Sequence, residues 1–243
     1  LTIAESSWDD ATTQKDSPYG MGFLSALFAA KKITIESGYK KMVVDSDQLL
    51  SNSLYEPVVT TSDRVHQQGT SVTLEEVNSV LVAELQGAIK TATLGFPVPV
   101  FFNGLPSEQT LAPSQLDENP DYVRVDLPEG SFWLYTKYTG SLGSLTCYLQ
   151  GQCVDNRAYM RHCPDVVHLD PQQFKARMPD RDQLVEAQEQ HKRIQAAQKA
   201  AWKIFLEKEK ARMSEAQWVT RYGGIAKEVA KSMFFEINLI RRL

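Results

Sequence analysis

Residues 182–213 read DQLVEAQEQHKRIQAAQKAAWKIFLEKEKARM, a stretch that contains neither glycine nor proline. Because these two residues are the ones that most often end a helix, their absence predicts one long helix over the whole stretch. Apolar side chains recur along one side of this helix, at Ile194, Ala197, Ala201 and Phe205. The pattern predicts a helix that buries this side in a core and leaves the opposite side to solvent.

Four lysines occupy the other side of the same helix, at intervals of seven, four and seven residues: Lys192, Lys199, Lys203 and Lys210. At 100° per residue they fall within an arc of about 40°, roughly 120° or more from the apolar side. We call these four residues the lysine row. Such a row can follow the phosphates of a nucleic acid, and Arg193 and Arg212 widen it. The same pattern also fits an ordinary solvated face, since Glu189 and Glu207 lie nearby.

Charge is distributed unevenly along the 243 residues, whose net charge is −4. Residues 1–153 carry 9 Lys and Arg and 18 Asp and Glu, whereas residues 154–243 carry 17 and 12. This asymmetry predicts a basic C-terminal part that faces a polyanion and an acidic N-terminal part that faces solvent or protein. The apolar stretches are too short to cross a bilayer, and three cysteines favour a reducing compartment. We therefore expect a cytoplasmic protein with no membrane partner.

The region before the long helix mixes helical and strand-like patterns. Residues 21–39 and 73–93 have helical spacing, and residues 73–76 (TLEE) have the sequence of a capping box. Proline-rich residues 105–121 separate this region from three strand-like runs within residues 122–149, which predict a β-meander. Near the C-terminus, residues 214–217 (SEAQ) are a further capping box, and Gly223-Gly224 is expected to break the chain before a final helix.

These patterns together predict an α+β fold in three parts. Residues 1–103 form a mixed α/β part, residues 104–169 form the β-meander with a cysteine and histidine cluster, and residues 170–243 form an all-helical basic part. Two tryptophans of the last part, Trp202 and Trp218, are expected as core anchors, with base stacking as the alternative.

All three cysteines lie close together and are followed by a histidine: Cys147, Cys153, Cys163 and His168. Thiolate and imidazole groups are the ligands that zinc prefers in structural sites, and His162 is an alternative fourth ligand. The spacings are wider than in common zinc knuckles. The sequence thus predicts either a structural zinc as cofactor or small side chains buried at the end of a sheet.

The sequence contains no Gly-x-x-x-x-Gly-Lys-Ser/Thr loop, Gly-x-Gly-x-x-Gly turn or Gly-x-Ser-x-Gly elbow. No nucleophile is positioned beside a base, so we assign no catalytic residue and expect a protein that is not an enzyme and has no small-molecule substrate. One hypothesis is a nucleic-acid-binding protein. A second is a structural or assembly protein of a mobile-element or transfer apparatus, whose long helix packs on a partner helix. A third is a small hydrolase whose site the sequence does not reveal.

The arrangement resembles the small version of the large subunit in type IV CRISPR effector complexes, which are plasmid-borne and RNA-guided. The resemblance covers the chain length, the segment with Cys147, Cys153 and Cys163, and the basic helical residues 192–242. It implies a subunit without nuclease activity beside the 5′ end of the guide RNA. In such complexes base pairing reads the sequence, while protein contacts the backbone and a short flanking duplex. The lysine row would hold target DNA, and the acidic part would dock on other effector subunits.

Overall fold

A computed structural model describes residues 24–61, 67–137, 139–155, 165–177 and 181–232. The described chain forms two compact units, one ending at Ala88 and the other beginning at Ile89. It is a mixed α/β chain with antiparallel sheets and two C-terminal helices, which confirms the coarse fold class. In the described ranges, no helix has both the length and the apolar character needed to span a membrane.

The first unit is built on a four-stranded antiparallel sheet with the order β3-β2-β1-β4. Its elements in chain order are α1 (Leu24–Ala29), β1 (Ala30–Gly38), β2 (Lys40–Asp45), α2 (Ser46–Ser51), β3 (Val58–Thr61) and β4 (Gln67–Val77). Helix α3 (Ser79–Thr93) follows and crosses the boundary between the units. The small core contains Leu27, Ala30, Ile33 and Val44.

One helix prediction and one predicted helix start in this unit are wrong, whereas the end of the second helix at Thr93 is confirmed. Only Leu24–Ala29 of the predicted helix over residues 21–39 is helical among the described residues, because the β-branched alternation of residues 33–35 (ITI) favours strand β1. The predicted capping box of residues 73–76 lies inside β4, where Thr73 pairs with Thr34. Cross-strand pairing has overridden a short local motif, and the helix begins six residues later, at Ser79.

The second unit contains a five-stranded sheet with the order β10-β9-β11-β8-β7. Its elements before the C-terminal helices are β5 (Phe101–Phe102), β6 (Leu105–Pro106), α4 (Pro113–Glu118), β7 (Tyr122–Leu127), β8 (Gly130–Tyr135), β9 (Leu145–Leu149), β10 (Gln152–Asp155) and β11 (Asp165–Leu169). The predicted meander is wrong, because β11 lies between β8 and β9, antiparallel to the first and parallel to the second. Four of the five β11 residues are buried, and a strand buried on both faces belongs at the centre of a sheet.

Two helices, α5 (Ala187–Lys210) and α6 (Glu215–Val229), complete this unit. The predicted apolar side of α5 is confirmed: Ile194, Ala197, Ala201 and Phe205 are all buried. Trp202 and Trp218 are buried as well, which confirms them as core anchors. Strands and both helices share one hydrophobic core, so the described parts of residues 104–169 and 170–243 form one unit where we predicted two parts.

The predicted capping box at Ser214 is confirmed, with Ser214 accepting from the backbone N–H of Gln217. The predicted break at Gly223-Gly224 is wrong, because both glycines lie inside α6. Gly224 is required by packing: a Cβ there would lie 2.4 Å from the carbonyl oxygen of Gly140. The rest of the predicted final helix, from residue 233 onward, lies outside the described residues.

Candidate nucleic-acid interface

The lysine row lies along α5, whose position is fixed by the buried opposite side of the helix. Lys192, Lys199 and Lys203 are exposed and Lys210 is half-buried. Since the interior of the unit holds Ile194, Ala201 and Phe205, rotation of the helix would expose these apolar side chains. The packing that stabilises the unit therefore also presents the lysines together.

None of the four lysines forms an ion pair with any other residue that the structure describes. Four other lysines of the chain do, at N···O distances of 2.6–3.5 Å: Lys31 with Glu76, Lys32 with Glu75, Lys90 with Glu108 and Lys137 with Asp121. We call these the paired lysines. An amine without a carboxylate partner keeps its full charge available to an anionic ligand.

The two predicted arginines differ from the lysine row. Arg193 Nε lies 3.2 Å from Glu129, its Nη2 donates to Gln173 at 2.7 Å, and its guanidinium lies 4.9 Å from the ring centre of Phe174. These contacts tie α5 both to the turn between β7 and β8 and to the segment before the helix, so the structure gives Arg193 a packing role. Arg212 pairs with Glu209 at 3.2 Å but keeps a side chain that is 73% exposed.

Some of the carboxylates near the lysine row form contacts within the chain. Glu209 lies near Arg212 and also accepts a 3.3 Å hydrogen bond from the hydroxyl of Tyr222. Burial is the main cause that raises the pKa of that tyrosine. Glu189 and Glu207 are exposed and reduce the positive potential around α5. Besides the lysine row, α5 carries Lys208, which is exposed and also forms no ion pair with the described residues.

The predicted zinc ligands are not brought together among the described residues. Cys147 is buried in the core beneath α5, whereas Cys153 packs on the opposite face of the sheet with Tyr148. His168 shares that second face, because it stacks on Tyr148 with ring centres 5.0 Å apart. Cys163 and His162 lie outside the described residues, and the described chain holds no group of three metal-ligating residues.

His168 has a different environment from that of a zinc ligand. Its Nε2 lies 2.9 Å from the carbonyl oxygen of Leu111, which acts as the acceptor when this nitrogen carries the proton. The ring also contacts Trp133 edge-on, with centres 5.3 Å apart. Burial lowers the pKa of His168. The residues present do not fit the predicted four-ligand site, since Cys147 and His168 face opposite sides of one sheet.

A cleft of about 390 Å³ lies beside the lysine row, between α5 and the segment that leads into β9. Its lining includes Ser144, His191, Gln195, Lys199 and Glu228. The segment is held in place by two hydrogen bonds: Leu142 N–H donates to Glu228 at 2.8 Å, and Gln198 Nε2 donates to Gly143 O at 3.2 Å. Lys199 thus belongs both to the lysine row and to the cleft.

The buried carboxylate of Asp165 connects the helix that lines this cleft to the sheet. Asp165 Oδ2 accepts 2.7 Å hydrogen bonds from Gln198 Nε2 and Trp202 Nε1, and its Oδ1 accepts from Tyr135 N–H at 2.9 Å. Burial raises the pKa of Asp165, and these donors act in the opposite direction. This residue could not be identified from the sequence. The only signal was an aspartate directly before the apolar residues of β11, which does not distinguish a buried carboxylate from a strand cap.

Comparisons with protein-family models and with curated proteins found no match for the chain. The candidate interface therefore rests on its own geometry: a row of cations that have no ion pair within the described ranges, next to a polar cleft.

Proposed function

We propose that this chain is a non-catalytic nucleic-acid-binding protein that contacts phosphates through the lysine row. The observation that carries the proposal is the difference between two sets of lysines. The four lysines of the row form no ion pair with the described residues, while the four paired lysines each have a carboxylate partner. Amines that lie together without partners form a surface that attracts a polyanion.

The dimensions of the lysine row suit a phosphate backbone. At 1.5 Å per residue, Lys192 and Lys210 are separated by about 27 Å along the helix axis. Base pairs of B-DNA are spaced by about 3.4 Å along the duplex, so the row is as long as about eight base pairs. The four lysines are spread over about five helical turns, which favours contact with an extended polymer over a single small anion.

A matched pair of variants tests this proposal. In the row variant, Lys192, Lys199, Lys203 and Lys210 are changed to Gln. In the paired-lysine variant, Lys31, Lys32, Lys90 and Lys137 are changed to Gln, so the net charge falls by the same amount. We expect the row variant to lose at least about tenfold in affinity for a labelled oligonucleotide at low salt. Equal affinities of the two variants would show that only overall charge matters.

We extend the proposal to a subunit of an RNA-guided effector complex with guide RNA, target DNA and other effector subunits as partners. The support for this step is the sequence resemblance described above, together with the basic helical surface. Affinity purification of the tagged chain from cells that express its neighbouring genes is the test. A short RNA of defined length and several protein subunits should co-purify. Recovery of the chain without RNA would contradict this step and leave nucleic-acid binding itself to be tested in vitro.

A second candidate function is protein assembly, and one observation in the first unit favours it. One set of cross-strand partners, which runs across all four strands, is entirely apolar: Val59, Met42, Ile35 and Val72. We call these four residues the apolar row. Val59 and Val72 are 58% and 52% exposed. The apolar side of α5, which the assembly hypothesis would place against a partner helix, is buried within the chain, so it does not support that hypothesis.

This second candidate has its own test. Val72→Lys places a charge on the apolar row, whereas Thr73→Lys places the same charge on the other face of the same strand. If the row is a protein contact, only Val72→Lys should change the mass of the complex measured by light scattering. Identical masses for both variants would remove the support for assembly through this sheet.

A further inference from the structure

We infer that the cleft beside the lysine row takes one unpaired nucleobase of the bound strand, with preference for a base that carries an amino group. The inference rests on the proposed function, because the phosphate of the same nucleotide would lie on Lys199. A volume of about 390 Å³ is within the range of small-molecule sites. The cleft is therefore large enough for a base, and its position connects base and backbone contacts.

The polar groups of the cleft match the edge of a base. Ser144 Oγ is buried and has no hydrogen-bond partner among the described residues, although buried hydroxyls are rarely left without one. Gln195 is exposed and makes no hydrogen bond or ion pair within the described chain. Its amide offers both a donor and an acceptor, as a base edge does. An incoming base would supply hydrogen-bond partners to the exposed amide of Gln195.

The charges in the cleft further restrict which chemical groups the ligand can carry. Glu228 Oε2 accepts from Leu142 N–H, and its carboxylate forms no ion pair with Lys199 or with any other described residue. A carboxylate accepts hydrogen bonds from the amino group of cytosine and repels the carbonyl oxygen at the corresponding position of uracil. A cation and a carboxylate in one cleft therefore suit a ligand with a phosphate and an amino group, such as a cytidine nucleotide.

Part of the cleft wall is apolar or aromatic and is already in position. Leu145 and Ile194 contribute apolar surface, and the ring of His191 also lines the cleft. The hydrogen bond from Gln198 to Asp165 and the one from Gln198 to Gly143 hold the helix and the segment at a fixed separation. A preformed site loses little conformational entropy on binding, which favours affinity.

One consequence is a preference for single strands. A base in a duplex is stacked and paired, so its edge cannot enter a cleft unless the base leaves the helix at a cost of a few kcal/mol. Single-stranded segments present unstacked bases to amide and carboxylate groups. The lysine row alone would bind both forms, and the cleft adds a contact that only the single strand can make.

Fluorescence anisotropy with short oligonucleotides of cytidine, deoxycytidine and uridine, and with a duplex, tests the inference. Gln195→Trp fills the cleft, while Gln188→Trp places the same side chain at an exposed position of α5 that does not line it. We expect Gln195→Trp to weaken binding of the cytidine strand by about tenfold and to leave duplex binding unchanged. Gln188→Trp should bind every probe as the unmodified chain does.

Glu228→Gln is the second variant, because it keeps an acceptor for Leu142 while removing the charge. It should reduce the preference for cytidine over uridine, which we expect to be about tenfold in the unmodified chain. Equal binding of the cytidine and deoxycytidine strands assigns recognition to the base, and stronger binding of the cytidine strand adds a contact to the 2′-hydroxyl. Either result is compatible with the cleft as a base site.

Two results would overturn the inference, and they are distinguishable. If the unmodified chain binds the strands and Gln195→Trp binds them equally well, the cleft takes no base and the lysine row remains the interface. If the unmodified chain binds no oligonucleotide at low salt, the proposed function fails and the base site fails with it. Circular dichroism of each variant verifies that a loss of binding does not come from unfolding.

Discussion

The indole nitrogen of Trp202 donates a 2.7 Å hydrogen bond to the buried carboxylate of Asp165, and so joins the middle of α5 to the first residue of the central strand β11. Gln198, one turn earlier on the same helix, donates to the same oxygen. This buried carboxylate accepts three hydrogen bonds but has no cationic partner among the described residues, which is rare in a protein core. It fixes the helix that carries the lysine row against the sheet.

Asp165→Asn should destabilise the second unit. An amide has only one oxygen, so it cannot accept from Tyr135 on one side and from Gln198 and Trp202 on the other. At least one buried donor loses its acceptor, at a cost of about 1–3 kcal/mol in the free energy of unfolding. Urea unfolding followed by tryptophan fluorescence measures the loss. Asp126→Asn is the control, because that side chain is 63% exposed and should cost less than about 1 kcal/mol.

The effect of Asp165→Asn should also depend on pH. Burial raises the pKa of Asp165 in the folded chain above its unfolded value of 3.8. Its contribution is therefore most favourable at low pH and is lost as the pH rises through the raised folded pKa. We expect the stability difference between the unmodified chain and Asp165→Asn to widen as the pH falls from neutral to about 4. A difference that stays constant with pH would contradict a raised pKa.

His168 gives the opposite pH dependence. Burial lowers its pKa below the unfolded value of 6.5, so protonation favours the unfolded chain. The unmodified chain should lose stability as the pH falls below that value, and the loss should level off at the lowered folded pKa. His168→Gln keeps a donor for Leu111 and removes the titrating group. Thermal unfolding of both chains should show the additional loss in the unmodified chain alone, and parallel curves would refute this.

Gly224→Ala should be destabilising although alanine favours helices. A Cβ at this position would meet the carbonyl oxygen of Gly140 at 2.4 Å, and backbone atoms cannot move away as a flexible side chain can. We expect a loss of about 1–3 kcal/mol in the free energy of unfolding. Gly87→Ala is the matched control in α3, where nothing lies within 4 Å of the added Cβ. That variant should gain up to about 1 kcal/mol, measured by the same urea titration.

The sequence was sufficient for features that depend on one element at a time. Helix α5 and its buried side follow from an unbroken repeat of apolar residues, and Ser214 follows from a capping pattern that no other element contests. The true strand order of the second sheet could not be predicted, because β11 lies between β8 and β9 through long-range pairing. The predicted break at Gly223-Gly224 failed for a similar reason. Gly224 is required by its packing against Gly140, which lies more than 80 residues earlier in the chain.

In the candidate site too, local patterns were predictable from the sequence and long-range contacts were not. The spacing of the lysines predicted that they lie together on α5, but not that they form no ion pair with the part of the chain that the structure describes. Arg193 was grouped with them by sequence, and its partner Glu129 lies 64 residues away in the chain. The cleft could not be predicted at all, because Ser144, Gln195 and Glu228 come from three separate elements or loops. Such positions carry no local pattern.

The salt dependence of oligonucleotide affinity tests the central claim most directly. Each phosphate contact contributes about 0.7–0.9 to the slope of log affinity against log salt concentration. We predict that the row variant has a slope shallower by about three than that of the unmodified chain, and that the paired-lysine variant keeps the original slope. Identical slopes for the two variants would show that the lysine row does not contact phosphates, and would contradict the account.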